Sequence, residues 1–317
     1  MNKPTVLLGC DFSDRFKKLL SENYNVLRPF ADSPADASRS TLKGVSALIT
    51  KGGISQNQHI IDAAPDLGLV AFFGTGFEGI DLLRASERNL VITHSPGANA
   101  ASVADFAMGL ILASTRQIVA ADRFVRDGKW TSNAIVSMPA VSGIKGAKLG
   151  IFGLGAVGSQ VAKRAVSFEM DVGYFSRTPK EACSFRYFPN LEQLADWADV
   201  LLVAARADSS DRHIIENDII SRVGKDGHII NVARGSLIDS IALADALERK
   251  IIAGAALDVF ENEPHLPQQL LRAPRLILSP HIAYATLEAR QAQEDMVLSN
   301  LKAFFAGAPV PNPVSAA

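Results

Sequence analysis

The segment Gly153-Leu154-Gly155-Ala156-Val157-Gly158 follows the apolar run Lys148–Phe152 and opens a stretch with helical spacing. At that spacing each glycine has its own task. Gly153 permits a tight turn, Gly155 lets backbone approach a pyrophosphate, and Gly158 allows close packing of helix on strand. The start of the following helix favours phosphate charge. In this context residues 153–158 read as a dinucleotide-binding loop rather than a structural turn. A second apolar run, Asp171–Phe175, ends in Ser176-Arg177-Thr178. Units selective for NAD place Asp or Glu here, ~20 residues beyond the loop, to accept hydrogen bonds from the ribose 2′-hydroxyl. Arg177 can instead form charge-assisted bonds to a 2′-phosphate, with Ser176 and Thr178 as hydroxyl donors. The expected cofactor is NADP(H) by preference, with NAD(H) also admitted, and Lys180 is an auxiliary cation.

Three further segments each place an ionisable side chain in a loop after an apolar strand: Asn231-Val232-Ala233-Arg234-Gly235, Asp258-Val259-Phe260-Glu261-Asn262-Glu263-Pro264 and Ser279-Pro280-His281-Ile282-Ala283. Loops at strand ends are where open α/β sheets assemble their sites. In this order, and after the glycine loop, the chain resembles the D-isomer-specific 2-hydroxyacid dehydrogenase family over nearly its whole length. Within it, the serine-arginine ending of the second strand is most similar to NADP-dependent glyoxylate and hydroxypyruvate reductases.

The resemblance implies roles that fit the chemistry. Reducing a 2-oxoacid needs hydride at the carbonyl carbon, a proton for its oxygen and a cation for the adjacent carboxylate. His281 suits the proton donor, because imidazole titrates near neutral pH. Glu263 would hold the ring and favour its cationic form. Arg234 would grip the carboxylate with a planar fork that lysine lacks. Thr75 and Gly76 match the family loop whose backbone amides receive the substrate carboxylate, and Lys51 is a further pocket candidate. Asp258 resembles the aspartate facing the nicotinamide carboxamide. Val103, Ala205, Val232 and Ala233 would line the cofactor by packing or backbone groups. The remaining histidines, His59, His94, His213, His228 and His265, read as structural or surface residues.

Three departures bear on the substrate. Tyr284 stands where small residues are common in relatives and would either reshape the substrate pocket or simply pack. The stretch 204–211 departs from the usual His-Val-Pro-rich cofactor loop, and Glu78 replaces a frequent aspartate. The resulting expectation is an NADPH-dependent reductase of a small 2-oxoacid, yielding the D-2-hydroxy acid. The alternative is a dinucleotide-sensing, corepressor-like binding protein on the same scaffold, although this chain lacks long extensions for partner motifs. Formate oxidation fits poorly, since Glu263 stands where glutamine would be expected.

The elements that must position these groups are legible as alternation. Apolar runs at Thr5–Gly9, Val45–Thr50, Leu69–Phe73, Leu149–Phe152, Val200–Ala204, His228–Val232 and Leu276–Leu278 read as buried strands. Helical spacing lies between them at Phe12–Leu20, Gln56–Ala63, Val157–Val166, Leu191–Trp197 and Ile241–Arg249. Two longer helices are expected at Ala100–Arg126 and Leu287–Phe305. The fold class is α/β, with two Rossmann-like or flavodoxin-like lobes built on parallel sheets. The nucleotide-binding domain, 99–284, is expected as an insertion in a substrate-binding domain made of 1–98 and 285–317. At ~150 residues per domain, 317 residues suit two such lobes. The segment with Asp127, Gly128 and Trp130 resembles the family's dimerisation arm, so a homodimer is expected.

Composition sets the remaining bounds. Lys and Arg total 32 against 33 Asp and Glu, which argues against a nucleic-acid surface. No apolar run approaches the ~18 residues of a membrane span, and none of the start resembles a secretory signal. Two cysteines, Cys10 and Cys183, provide neither a disulfide framework nor a zinc site. No metal is expected, and the setting reads as cytoplasmic.

Overall fold

The computed structural model describes residues 3–27, 42–54, 57–131, 138–181, 183–207 and 209–314. Gln56, where one helix was expected to begin, and Asp208, in the loop after Val200–Ala204, lie outside them. The described residues divide between two compact units, one drawn from 1–99 and 286–317 and the other from 100–285.

Five strands among the described residues build the first unit: β1 (Thr5–Leu8), β2 (Asn25–Leu27), β3 (Val45–Thr50), β4 (Leu69–Phe72) and β5 (Val91–Thr93). They pair in parallel in the order β2-β1-β3-β4-β5, the flavodoxin-like arrangement. Their apolar runs are continuous because both faces are covered. Val6, Leu8, Ala47 and Ile49 pack with Phe16 and Leu20 of the helix Asp14–Asn23 and with Val297 and Leu301 of the helix Leu287–Phe305. Leu7, Leu48, Val70 and Phe72 fill the opposite face. The last helix therefore returns to the first unit.

The second unit has seven strands: β6 (Lys148–Phe152), β7 (Asp171–Phe175), β8 (Arg186–Tyr187), β9 (Val200–Val203), β10 (His228–Asn231), β11 (Gly254–Leu257) and β12 (Leu276–Leu278). All pairings are parallel, in the order β12-β11-β10-β9-β6-β7-β8. Read from β8, this is the 3-2-1-4-5-6 dinucleotide-binding order with one strand added. Alternation splits each strand between two cores. Leu201, Val203 and Ile229 face one side, while Val200, Leu202 and Ile230 face the helices Ala100–Thr115 and Ala156–Ser167.

One expected element is corrected. The stretch Ala100–Arg126 is not one helix but two, Ala100–Thr115 and Ile118–Arg126, whose axes differ by 60°. Gln117 adopts the left-handed conformation at φ 52°, and Thr115 Oγ1 donates back to the Ile111 carbonyl at 2.8 Å. Back-bonding of this kind bends helices, and a left-handed residue ends them. No single helix among the described residues is long and apolar enough to cross a membrane.

Candidate active site

Parallel strands put all their carboxyl ends on one edge, and there the loops of the second unit fall in line. Arg177 follows β7, the glycine loop follows β6, Ala205 follows β9, Arg234 follows β10, Asp258 and Glu263 follow β11, and His281 follows β12. From β7 to β12 are five interstrand steps, ~24 Å at ordinary sheet spacing. The row is therefore long enough to seat an extended ligand, with Arg177 after β7 and Arg234 two strands in from the opposite end.

The three loop glycines differ in what surrounds them. Gly153 has φ +99°, and a Cβ there would stand 2.4 Å from Ala205 Cα. A Cβ on Gly158 would meet the Gly153 carbonyl oxygen at 2.1 Å, so helix and turn pack backbone to backbone. Gly155 faces open space among the described residues and begins the helix Ala156–Ser167 with no side-chain cap. Its amides, left without a side-chain acceptor, fit a pyrophosphate. Leu154 and Val103 are buried in the core beneath, and Val232 and Ala233 are buried beside it. Beyond β7, Ser176 Oγ donates to the Thr178 carbonyl at 3.0 Å. Arg177 is 70% exposed and places Nη2 2.9 Å from Asp211 Oδ2.

The ionisable groups of the other loops meet. His281 Nδ1 lies 2.7 Å from Glu263 Oε2, and Glu263 Oε1 accepts the Phe260 amide at 2.9 Å. His281 has φ +53°, its amide donates to the Asp258 carbonyl at 2.8 Å, and Tyr284 packs edge-on against its ring. The buried Asp258 carboxylate accepts from Ser279 Oγ at 2.6 Å, from the Ile282 amide at 3.0 Å and from the Ala283 amide at 2.9 Å. It thus folds the turn around His281. A carboxylate has about four acceptor sites, so a further donor can still be met. Asn231 shapes the Arg234 turn: its side chain accepts the Ala233 amide at 2.9 Å and donates to the Arg234 carbonyl at 3.0 Å. Arg234 Nη1 donates to the Ala233 carbonyl at 2.8 Å.

Gly235 joins the turn to the acid loop. A Cβ there would lie 1.9 Å from the Phe260 carbonyl carbon and 2.3 Å from the Glu261 nitrogen. Only a glycine lets these two backbones touch.

In the first unit, Thr75 and Gly76 follow β4 and Lys51 follows β3. A Cβ on Gly52 would meet the Gly76 carbonyl oxygen at 2.8 Å, so the two loops adjoin. His94 Nδ1 lies 3.0 Å from the Thr75 carbonyl oxygen. Lys51 Nζ sits 5.7 Å from the Phe12 ring centre and 6.0 Å from that of Phe73.

Two contacts near the site carry no signal in the sequence. His213, which reads in the sequence as structural or surface, places Nε2 2.9 Å from Glu261 Oε2, and Arg212 Nε donates to Glu261 Oε1 at 2.7 Å. Asp211 pairs with Arg177 across 34 positions of chain. No local pattern announces either contact.

Against this geometry, the family profile described as D-isomer specific 2-hydroxyacid dehydrogenase, NAD binding domain, matches residues 108–283. The chain belongs to the D-isomer-specific 2-hydroxyacid dehydrogenase family. As a member of this NAD(P)-dependent oxidoreductase family, it is 35% identical over 314 residues to glyoxylate/hydroxypyruvate reductase A of Arabidopsis thaliana, covering 98% of both chains. It is also 35% identical over 315 residues to 2-ketogluconate reductase of Gluconobacter oxydans, covering 99% of each. Among solved structures, the NADPH-dependent glyoxylate/hydroxypyruvate reductase of Sinorhizobium meliloti, in complex with NADP and malonate, superposes with a TM-score of 0.91. That match has 35% identity and covers 99% of this dehydrogenase and 97% of the other chain.

Proposed function

We propose that the protein reduces a small 2-oxoacid, glyoxylate or hydroxypyruvate being the first to test, to the D-2-hydroxy acid with NADPH. The observation that supports this best is the hydrogen bond between His281 and Glu263, in a loop row that also holds Arg234 and the glycine turn.

Amides at the start of the helix Ala156–Ser167 would hold the pyrophosphate, and Arg177 with Ser176 and Thr178 the 2′-phosphate. Asp258 would meet the carboxamide, and Val103, Ala205, Val232 and Ala233 would line the site. The bound dinucleotide supplies the hydride. Arg234 grips the substrate carboxylate and polarises the carbonyl. His281 gives its proton to the carbonyl oxygen as negative charge develops there, while Glu263 holds the ring by Nδ1 and leaves Nε2 to face the substrate. Tyr284, packed against the His281 ring, is assigned to the substrate's remaining side chain. A homodimer is supported by the helix Ile118–Arg126, which buries none of its residues and exposes Ile118, Val119 and Val125, with exposed Trp130 after it. Sedimentation velocity tests that assembly.

The functional test is NADPH and NADH consumption with a panel of 2-oxoacids that includes glyoxylate, hydroxypyruvate and 2-ketogluconate. Turnover with NADPH and a small 2-oxoacid is expected. Tight NADPH binding with no turnover of any member would overturn the proposal in favour of a dinucleotide-sensing role.

A further inference from the structure

Asp211, Arg212 and His213 are consecutive, and between them they engage two separate loops of the second unit. Asp211 takes Arg177. Arg212 and His213 grip the two oxygens of Glu261, whose side chain is only 25% exposed. The His213 hydrogen bond, aided by Arg212, holds the Glu261 carboxyl below its ordinary range. The same strap is fastened by backbone: the His213 amide donates to the Ser236 carbonyl at 2.8 Å, and the Ile215 amide to the Leu237 carbonyl at 3.0 Å. Those acceptors lie just beyond Arg234. His213 Nδ1 stands 3.9 Å from Asp239, so the ring has a carboxylate on either side.

Glu261 is also two residues from Glu263, and Glu263 itself accepts the Phe260 amide. The short run from Phe260 to Glu263 is therefore pinned at Glu261, two residues before the carboxylate that meets His281. The Gly235 contact fixes the same run from beneath. A lone exposed ion pair would contribute little. Here one shielded carboxylate meets two nitrogen donors, and the backbone it anchors holds a group whose geometry sets the rate.

We propose that Glu261, gripped by Arg212 and His213, is a positioning residue for the Glu263–His281 pair. This rests on the reading of that pair as the proton-delivering group. Losing the grip lets the acid loop shift while the glycine turn and Arg177 remain in place. The signature is a fall in kcat with cofactor affinity preserved.

The test uses the full chain with NADPH and glyoxylate, comparing Glu261→Ala, Glu261→Gln, His281→Ala and Arg222→Ala. Arg222 pairs with Asp196 and Asp218 on the surface and serves as a control. A misplacement near 1 Å costs up to ~100-fold, so Glu261→Ala is expected to lower kcat about tenfold or more and leave the NADPH dissociation constant within about twofold. Glu261→Gln keeps an acceptor for Arg212 and a donor for a neutral His213 ring, and should recover to within about threefold of the parent. Arg222→Ala should match the parent.

Wild-type kcat in Glu261→Ala, beside an inactive His281→Ala, overturns the positioning role alone. Parallel loss of kcat, NADPH affinity and melting temperature in Glu261→Ala also overturns it, since that marks general destabilisation. Turnover retained by His281→Ala instead refutes the proton-donor reading. Independently of turnover, the His281 ring NMR resonances in Glu261→Ala should move toward those of Glu263→Gln. Unmoved resonances contradict the proposal.

Discussion

Replacing Gly235 by alanine tests whether the substrate-gripping turn and the acid loop are set by one backbone contact. The added methyl would lie 1.9 Å from the Phe260 carbonyl carbon, where ordinary contact begins at 3.4 Å. One backbone must therefore retreat by about 1.5 Å, and neither neighbour is a flexible side-chain end. Whichever yields takes a functional group with it, Arg234 on one side or Glu263 on the other. Displacements near 1 Å cost on the order of 100-fold in rate, about 2.7 kcal/mol of transition-state stabilisation. Overpacking of this kind costs about 1–3 kcal/mol of stability, which leaves a folded protein to assay. Steady-state kinetics should show kcat down by roughly 100-fold with NADPH affinity nearly unchanged, since the glycine turn after β6 is untouched. The matched control is Gly109→Ala in the helix Ala100–Thr115, where a Cβ meets nothing within 4 Å among the described residues. It should retain activity and gain about 0.5–1 kcal/mol of stability, read as a higher melting temperature. A Gly235→Ala enzyme with kcat within about twofold of the parent would show that this backbone contact does not set the two loops.

Other expectations follow from single contacts. Arg177→Ala should lower the ratio of NADPH to NADH specificity constants by about tenfold, the effect expected of one charge-assisted bond at an exposed site; equal loss with both cofactors would contradict that role. His281→Ala should lower kcat by about 100-fold or more with little change in NADPH binding, and unchanged turnover would sink the proton-donor assignment. Burial, with Arg275 nearby, pushes His228 down to about 4, and Ser114 Oγ lies 2.8 Å from its Nδ1. Its folded value lies below the unfolded one, so its neutral form is stable above about 6.5 and stability falls as pH drops from there toward 4. The loss reaches at most about 3 kcal/mol. Melting temperatures at neutral and mildly acid pH should therefore converge in His228→Gln, and identical acid sensitivity in parent and variant would exclude this source.

The strand ends and the glycine loop were legible because parallel strands buried on both faces need unbroken apolar runs, and the loops after them must hold the polar chemistry. Leu191–Trp197, Leu287–Phe305 and Leu276–Leu278 form with the bounds their spacing suggests. The short strands Asn25–Leu27 and Arg186–Tyr187 escaped notice because they are partly exposed edge strands with little apolar pattern. The bend at Gln117 escaped too, since neither glycine nor proline marks it. Residue identities suggested His281, Glu263 and Arg234, yet much of what orients them lay in tertiary contacts. Asn231 folds the Arg234 turn, Asp258 folds the His281 turn, and His213 reaches Glu261 from 48 residues away in sequence. The last two pairs have no spacing rule, because the sheet order rather than the chain order makes them neighbours, whereas Asn231 acts within its own turn.

The most direct test of the central claim is a single turnover. Enzyme loaded with NADPH is mixed rapidly with excess glyoxylate or hydroxypyruvate, and cofactor absorbance is followed for the parent and for His281→Ala. If His281 delivers the proton, bound NADPH is consumed rapidly by the parent with at least one of the two acids and persists in the variant. Parent enzyme that binds NADPH yet consumes none with either acid, or a variant that consumes it as fast as the parent, would contradict that role.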